Sequence, residues 1–375
     1  MTNYFDSAAT TTVDPRVLDE YIRATEAYQA NASSVHKLGL EARKAFEDAR
    51  RRFALALKAK EESIVFTSGA TESINIVFSS LLRNPSPGKA IISSAEHDAV
   101  SSFIPVLKEK GWEIDIIHPK KGKISAEDLY ARLDRNTKIV AIMAVNNILG
   151  TVFDIKGLVS AVRKFEKENG KKIFFFSDMV QALGKIDFSL EDMDVDAASF
   201  SSHKIHGVKG CGALYLKNSA TFTAISRGGG QERGLRGGTE NIAGVLAFVK
   251  AAEIYLKEKK ERDERVKKIN SIIRNGLEKE GFKILSPEDS SAYIISYVST
   301  WPSEVTIRML SDKGFYVSGG SACSNNSKAS GKKILTEMGI EGRDAEKSVR
   351  ISLSKDNTEE EAYNLINAIK EIRNV

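Results

Sequence analysis

Four polar clusters in this chain of 375 residues carry side chains suited to chemistry. The first, Phe66-Thr67-Ser68-Gly69-Ala70-Thr71-Glu72, reads as a strand end, a glycine turn and a helix start. Backbone amides at such a start, with hydroxyls nearby, suit a phosphate. An N-cap by Thr67 or Ser68 that needs no ligand is the plainer alternative. The second is Asp178, just beyond the apolar run Lys172 to Phe176, with Gln181 following. A carboxylate at the end of a buried strand is costly unless a cation or a donor meets it. A protonated pyridine nitrogen would serve, and so would a simple turn cap.

The third cluster is Ser199 to His206, in which Lys204 stands beside His203 and among hydroxyls. A lysine there suits a Schiff base if its pKa, about 10.4 in water, is lowered or an incoming imine exchanges with it. A solvated lysine on a surface turn is the alternative. The fourth is Val317 to Ser327, which sets Cys323 in a Gly/Ser-rich loop. Exposure and mobility favour a thiol nucleophile, whereas a chance surface thiol would have no role. Cys211, ahead of the apolar run Ala213 to Leu216, is expected to be a small buried hydrophobe.

The elements that must hold these clusters alternate. Strand candidates are Ile64 to Phe66, Ala90 to Ile92, Ile114 to Ile117, Ile139 to Ile142, Lys172 to Phe176 and Ala213 to Leu216. Helical stripes lie between several of them, as in Ala42 to Leu57 and Leu158 to Glu168. This pattern predicts a mainly parallel sheet covered by helices, with ligands beyond the carboxyl ends of its strands. From Asn241 a helical period runs to Leu277, broken by charged residues, so one long helix or two end to end lead into a second unit. Short strands (Ala292 to Val298, Val349 to Leu353) and a terminal helix capped at Thr358 follow.

Composition narrows the function classes. Apolar residues make up 42% and charged residues 28%, ordinary globular usage, and a net charge of +5 without a basic stripe gives no nucleic-acid signature. Two cysteines in unrelated contexts neither staple the chain nor form a zinc site, so no metal is expected. No stretch approaches the roughly 18 apolar residues of a membrane span. The opening residues lack the basic and apolar segments of a signal peptide, and a reducing cytoplasm is the expected setting.

Together the clusters resemble the NifS/IscS-type cysteine desulfurases, pyridoxal 5'-phosphate (PLP) enzymes of the class V aminotransferase group with fold type I. The resemblance runs through Tyr4-Phe5-Asp6-Ser7-Ala8-Ala9-Thr10, Asn31 to His36, Glu96-His97-Asp98-Ala99-Val100 and Asn146-Asn147. It continues through Asp178 and Gln181, Ser201-Ser202-His203-Lys204, Gly228 to Arg236, Ser321-Ala322-Cys323 and Arg350-Ile351-Ser352-Leu353. It implies an α/β chain: a large PLP-binding domain, residues 13–256, with a mainly parallel seven-stranded sheet, and a smaller α/β domain of residues 1–12 and 257–375.

By that resemblance Lys204 holds PLP, Asp178 pairs with its pyridine nitrogen, and His97 stacks on the ring and handles protons. Gln181 and Asn147 address the phenolic oxygen. Ala70 belongs to the cofactor pocket; Thr71, Ser201 and His203 bind the phosphate, joined by Thr239 from a second subunit of a homodimer. Arg350, with Asn147, takes the substrate carboxylate, and Cys323 is the nucleophile. The implied reaction turns L-cysteine into L-alanine, leaving a persulfide on Cys323. Its sulfur goes to an acceptor such as an iron–sulfur scaffold or a tRNA-thiolation carrier.

The sequence departs from the family pattern at Ile148 (usually glutamate), Phe176 (histidine), Val208 (proline), Gly237 (serine), Gly319 (serine) and Ala329 (proline). Ile148 and Phe176 put apolar side chains where polar ones are usual, which bears on contacts around the site. A class V aminotransferase, a selenocysteine lyase and a non-catalytic scaffold are the alternatives. The first has no use for the cysteine loop, and the last no use for Lys204, His97 and Cys323 together.

Overall fold

Short apolar runs that alternate between two faces leave little choice but a sheet buried on both sides. The computed structural model describes residues 3–83, 86–120, 122–218, 222–226, 228–320 and 334–373. Its central sheet has seven strands: β2 (Ile64–Thr67), β3 (Lys89–Ser93), β4 (Glu113–Ile117), β5 (Thr137–Ala141), β6 (Phe174–Asp178), β7 (Ala197–Ser201) and β8 (Gly212–Leu216). They lie in the order β2-β8-β7-β6-β5-β3-β4, with β8 antiparallel to both neighbours and every other pairing parallel.

The period of two divides the side chains between two cores. Phe175, Ala198 and Phe200 point into the core shared with helices Lys37–Ala56 and Ile242–Lys257, where the Phe53 ring lies 4.8 Å from Phe248 and 6.2 Å from Phe200. Phe176 and Ala197 point the other way, toward helix Ala70–Leu82, and Phe176 meets Phe78 edge to face at 5.9 Å. Because β2, β3, β5, β6 and β7 run in one direction, their carboxyl ends meet along one edge.

The second unit is an antiparallel sheet of three strands, β11 (Ser318–Gly319), β12 (Ser348–Ser352) and β9 (Ile294–Val298), in that order. Helices Lys259–Lys279 and Glu359–Arg373 pack on it through Ile269, Ile273, Leu365 and Ile369. The last helix begins at a reciprocal cap: Thr358 Oγ1 accepts from the Glu361 amide and Glu361 Oε2 accepts from the Thr358 amide. The first residues return to this unit, since β1 (Asn3–Tyr4) pairs in parallel with β10 (Phe315–Tyr316).

Several expectations shift. β6 begins at Phe174 rather than Lys172, so Asp178 is the last residue of the strand. The helix expected from Ala42 starts at Lys37, capped by His36 Nδ1, which accepts from the Gly39 amide. The helical stretch after Asn241 is two helices meeting at Glu258. Among the described residues no helix is long and apolar enough to cross a membrane.

Candidate active site

A cavity of about 670 Å³ opens at the shared carboxyl edge. Each strand end contributes: β2 leads to Gly69, Ala70 and Thr71, β3 to His97, β5 to Met143, Val145 and Asn147, β6 to Asp178 and Gln181, and β7 to Ser201, His203 and Lys204. The second unit supplies Ser318 and Arg350, and the N-terminal segment supplies Asp6, Ala8 and Thr10.

Asp178 is buried, and its Oδ1 accepts from the Val180 amide at 3.0 Å and the Ser199 hydroxyl at 3.1 Å. Burial raises the carboxyl pKa above its ordinary range, while the nearby His97 and Lys204 work against that rise. The turn-capping role and an unmet demand for a cation therefore coexist in one side chain. Lys204 is not a solvated surface lysine: its Nζ donates to the carbonyls of Ala8 and Ala9, each at 2.6 Å. His97 caps the short helix Asp98–Ser101, its Nδ1 accepting from the Ala99 amide at 3.1 Å. That bond assigns the proton of the neutral ring to Nε2. His203 Nδ1 meets Thr10 Oγ1 at 3.1 Å, and burial, helped by Lys204, Lys209 and Lys185, pushes its pKa down to about 4.

The helix Ala70–Leu82 starts at Gly69 with no side-chain cap, and Thr67 Oγ1 donates to the Gly69 carbonyl. Neither Thr67 nor Ser68 therefore satisfies the first-turn amides through its hydroxyl. The positive end of the helix faces a cavity also lined by Thr71, Ser201, His203 and Lys209. Arg350, almost fully buried on β12, donates from Nη1 to the Asn147 carbonyl at 2.8 Å and from Nη2 to Asp6 Oδ1 at 2.7 Å. Its Nε is buried without a partner.

Of the twelve residues given roles from the sequence, ten line this cavity: Lys204, Asp178, Gln181, Asn147, Thr71, Ala70, Ser201, His203, His97 and Arg350. Thr239 is exposed and does not line the cavity of its own chain. Cys323 lies outside the described residues, five positions beyond the cavity-lining Ser318. Cys211 is buried, and burial pushes its thiol up to about 12, so it is inert at neutral pH. Ile148 and Phe176 do not line the cavity; both are core side chains. Sequence reasoning gave no role to Asp6, Glu96 or Lys185. Glu96 is fully buried, its Oε1 accepting from the Met143 amide at 2.6 Å.

Residues 3–365 match the family described as aminotransferase class-V. The chain belongs to that family. It is 37% identical to a NifS/IcsS protein homolog of Lactobacillus delbrueckii subsp. bulgaricus, over 98% of this chain and 96% of the relative. It is 32% identical to the cysteine desulfurase IscS of Clostridium botulinum, over 98% and 94%. Among solved structures, a NifS-like protein superposes with a TM-score of 0.92 at 36% identity, covering 99% of each chain. A NifS-like protein from Rickettsia africae gives 0.88 at 28%, covering 100% of both.

Proposed function

We propose that this protein is a PLP-dependent cysteine desulfurase that converts L-cysteine to L-alanine and passes the sulfur through Cys323 to an acceptor. The observation that carries the reading is the convergence of Lys204, Asp178 and His97 on one cavity that Arg350 also lines. The donor set fits the cofactor: a buried carboxylate whose pKa is raised by burial suits a protonated pyridine nitrogen, and an uncapped helix start suits a phosphate. Lys204 would hold the cofactor, Asp178 its ring nitrogen, Gln181 and Asn147 its phenolic oxygen, and Ala70, Thr71, Ser201 and His203 its phosphate side. When bound, PLP supplies an electron sink for carbanion chemistry at the α-carbon of an amino acid.

The chain's own residues do the rest. Arg350 offers its fork to the substrate carboxylate from a site where Asp6 and the Asn147 carbonyl fix the guanidinium plane. Lys204, poised between two carbonyls, moves the α-proton. His97 holds or passes a proton at Nε2. The Cys323 thiolate takes the substrate sulfur: a sulfur–sulfur bond forms, the carbon–sulfur bond breaks, and carbon gains a proton to give alanine. No oxidant is consumed, because one thiol becomes a persulfide as one carbon is reduced. On this reading Thr239 serves the cavity of a second copy, which makes the unit a homodimer, and an iron–sulfur scaffold or another thiol carrier receives the sulfur. The chain divides into residues 13–256 and a smaller unit of 1–12 with 257–375; the β1–β10 pairing and the core shared by Phe5 and Ile351 support that division.

Borohydride reduction of the PLP-loaded protein followed by peptide mass spectrometry tests the cofactor assignment. A pyridoxyl adduct on Lys204 is expected; an adduct on another lysine, or none, would contradict it.

A further inference from the structure

One buried cation takes no part in the reaction described above. Lys185 is 7% exposed, and its Nζ donates to Gln181 Oε1 at 2.6 Å. Gln181, 4% exposed, turns its Nε2 to the Ala8 carbonyl at 2.9 Å, and that carbonyl also accepts from Lys204 Nζ at 2.6 Å. Lys185, Gln181, Ala8 and Lys204 thus form one chain of hydrogen bonds from the core to the cavity. An amide side chain has two nearly isosteric orientations, and its partners decide which one is adopted. A protonated lysine can only donate, so in that form it dictates that the oxygen of Gln181 points inward and the NH2 toward the cavity.

We propose that Lys185 is a positioning residue that holds the Gln181 amide with its donor facing the cofactor's phenolic oxygen. The inference rests on the PLP reading above. Lys185 is itself fixed by rigid surroundings. The preceding Gly184 has φ +68°, and a Cβ there would come within 2.3 Å of the Tyr255 ring. Gly184's carbonyl accepts from Arg262, whose Nε donates to Tyr293 Oη at 2.8 Å, and the Tyr293 ring lies 5.8 Å from Lys185 Nζ. Burial, with Lys204, Arg262 and Arg350 nearby, brings the Lys185 pKa down to about 7. The protonated form enforces this orientation; a neutral amine can donate or accept, and the Ala8 carbonyl then remains the partner that holds the Gln181 NH2.

The test is a double-mutant cycle on PLP affinity, titrating apoprotein and following the absorption maximum, for Lys185→Met, Gln181→Leu and both together. Lys185→Met should weaken PLP about tenfold and shift the maximum, the effect of losing about one hydrogen bond. In the Gln181→Leu background the same change should cost less than about twofold. PLP uptake with additive losses would overturn the inference alone. An apoprotein that takes up no PLP would overturn the reading beneath it, and the inference with it. Lys185→Gln gives an independent check should Lys185→Met fail to fold: its side-chain amide can accept as well as donate, so it no longer fixes the direction of the Gln181 amide. Lower affinity with an unchanged melting temperature supports the proposal; unchanged affinity and spectrum contradict it.

Discussion

Arg350 Nη2 donates to Asp6 Oδ1 at 2.7 Å, which ties β12 to the segment just after β1 across the mouth of the cavity. The pair sets the guanidinium plane before any substrate arrives. A lysine at this position is a point charge that cannot span both Asp6 and the Asn147 carbonyl while presenting a fork. Arg350→Lys is therefore expected to raise KM for L-cysteine by about tenfold or more, with a smaller change in kcat, in steady-state alanine formation. Unchanged KM would remove Arg350 from carboxylate recognition.

Glu96 is a buried carboxyl with one oxygen on the Met143 amide and the other, Oε2, without a partner. Burial, reinforced by Asp178, raises its pKa well above the ordinary value. A raised folded-state pKa contributes stability at low pH that is lost as pH rises through it. Glu96→Gln escapes that loss. Relative to wild type, the variant should gain stability as pH rises above the ordinary carboxylate range, read as a rising difference in urea midpoint; a constant difference would contradict the raised pKa.

His203 behaves with the opposite sign. Its folded pKa is pushed down to about 4 from the ordinary 6.5, so the unfolded chain binds the proton first as pH falls. The contribution is intact above about 6.5 and is lost toward pH 4, at no more than about 1.4 kcal/mol per pH unit. In cofactor-free protein, His203→Gln should flatten the acid side of the stability profile across that window. Parallel profiles would show that His203 titrates alike in both states.

Arg50 and Glu232 form a buried bidentate pair at 2.7 and 2.9 Å, with the Phe66 amide donating to Glu232 as well. The pair fixes the segment that carries Thr239, where Glu232 and Arg233 adopt positive φ. Arg50→Met leaves a buried carboxylate unpaired and should cost about 3–5 kcal/mol in urea unfolding. A loss below about 1 kcal/mol would show that solvent or a partner chain compensates.

Much of this arrangement was legible in the sequence, because strands buried on both faces are written as unbroken apolar runs: Ile64 to Phe66 fall in β2, Ala90 to Ile92 in β3, and Ile139 to Ala141 in β5, one residue short of the expected end. β7 was not found. Its Ala197-Ala198-Ser199-Phe200-Ser201 is wholly buried yet has neither branched side chains nor marked apolarity, so only its tertiary neighbours identify it. That strand carries Ser199 to Asp178 and leads to Lys204, so the site was legible in its residues but not in the element that aligns them. Lys185 and Glu96 received no role for another reason: charged side chains are normally solvated, and nothing local announces burial. Asp6 meets Arg350 344 positions away, a pairing that no local pattern encodes.

Anaerobic turnover of L-cysteine by the PLP-loaded protein with a thiol reductant, beside Cys323→Ser, tests the central claim most directly. Alanine and sulfide formed in equal amounts, with both abolished in the variant, is the predicted result. Alanine formation that persists in Cys323→Ser, or none from the wild type, would contradict sulfur transfer through Cys323.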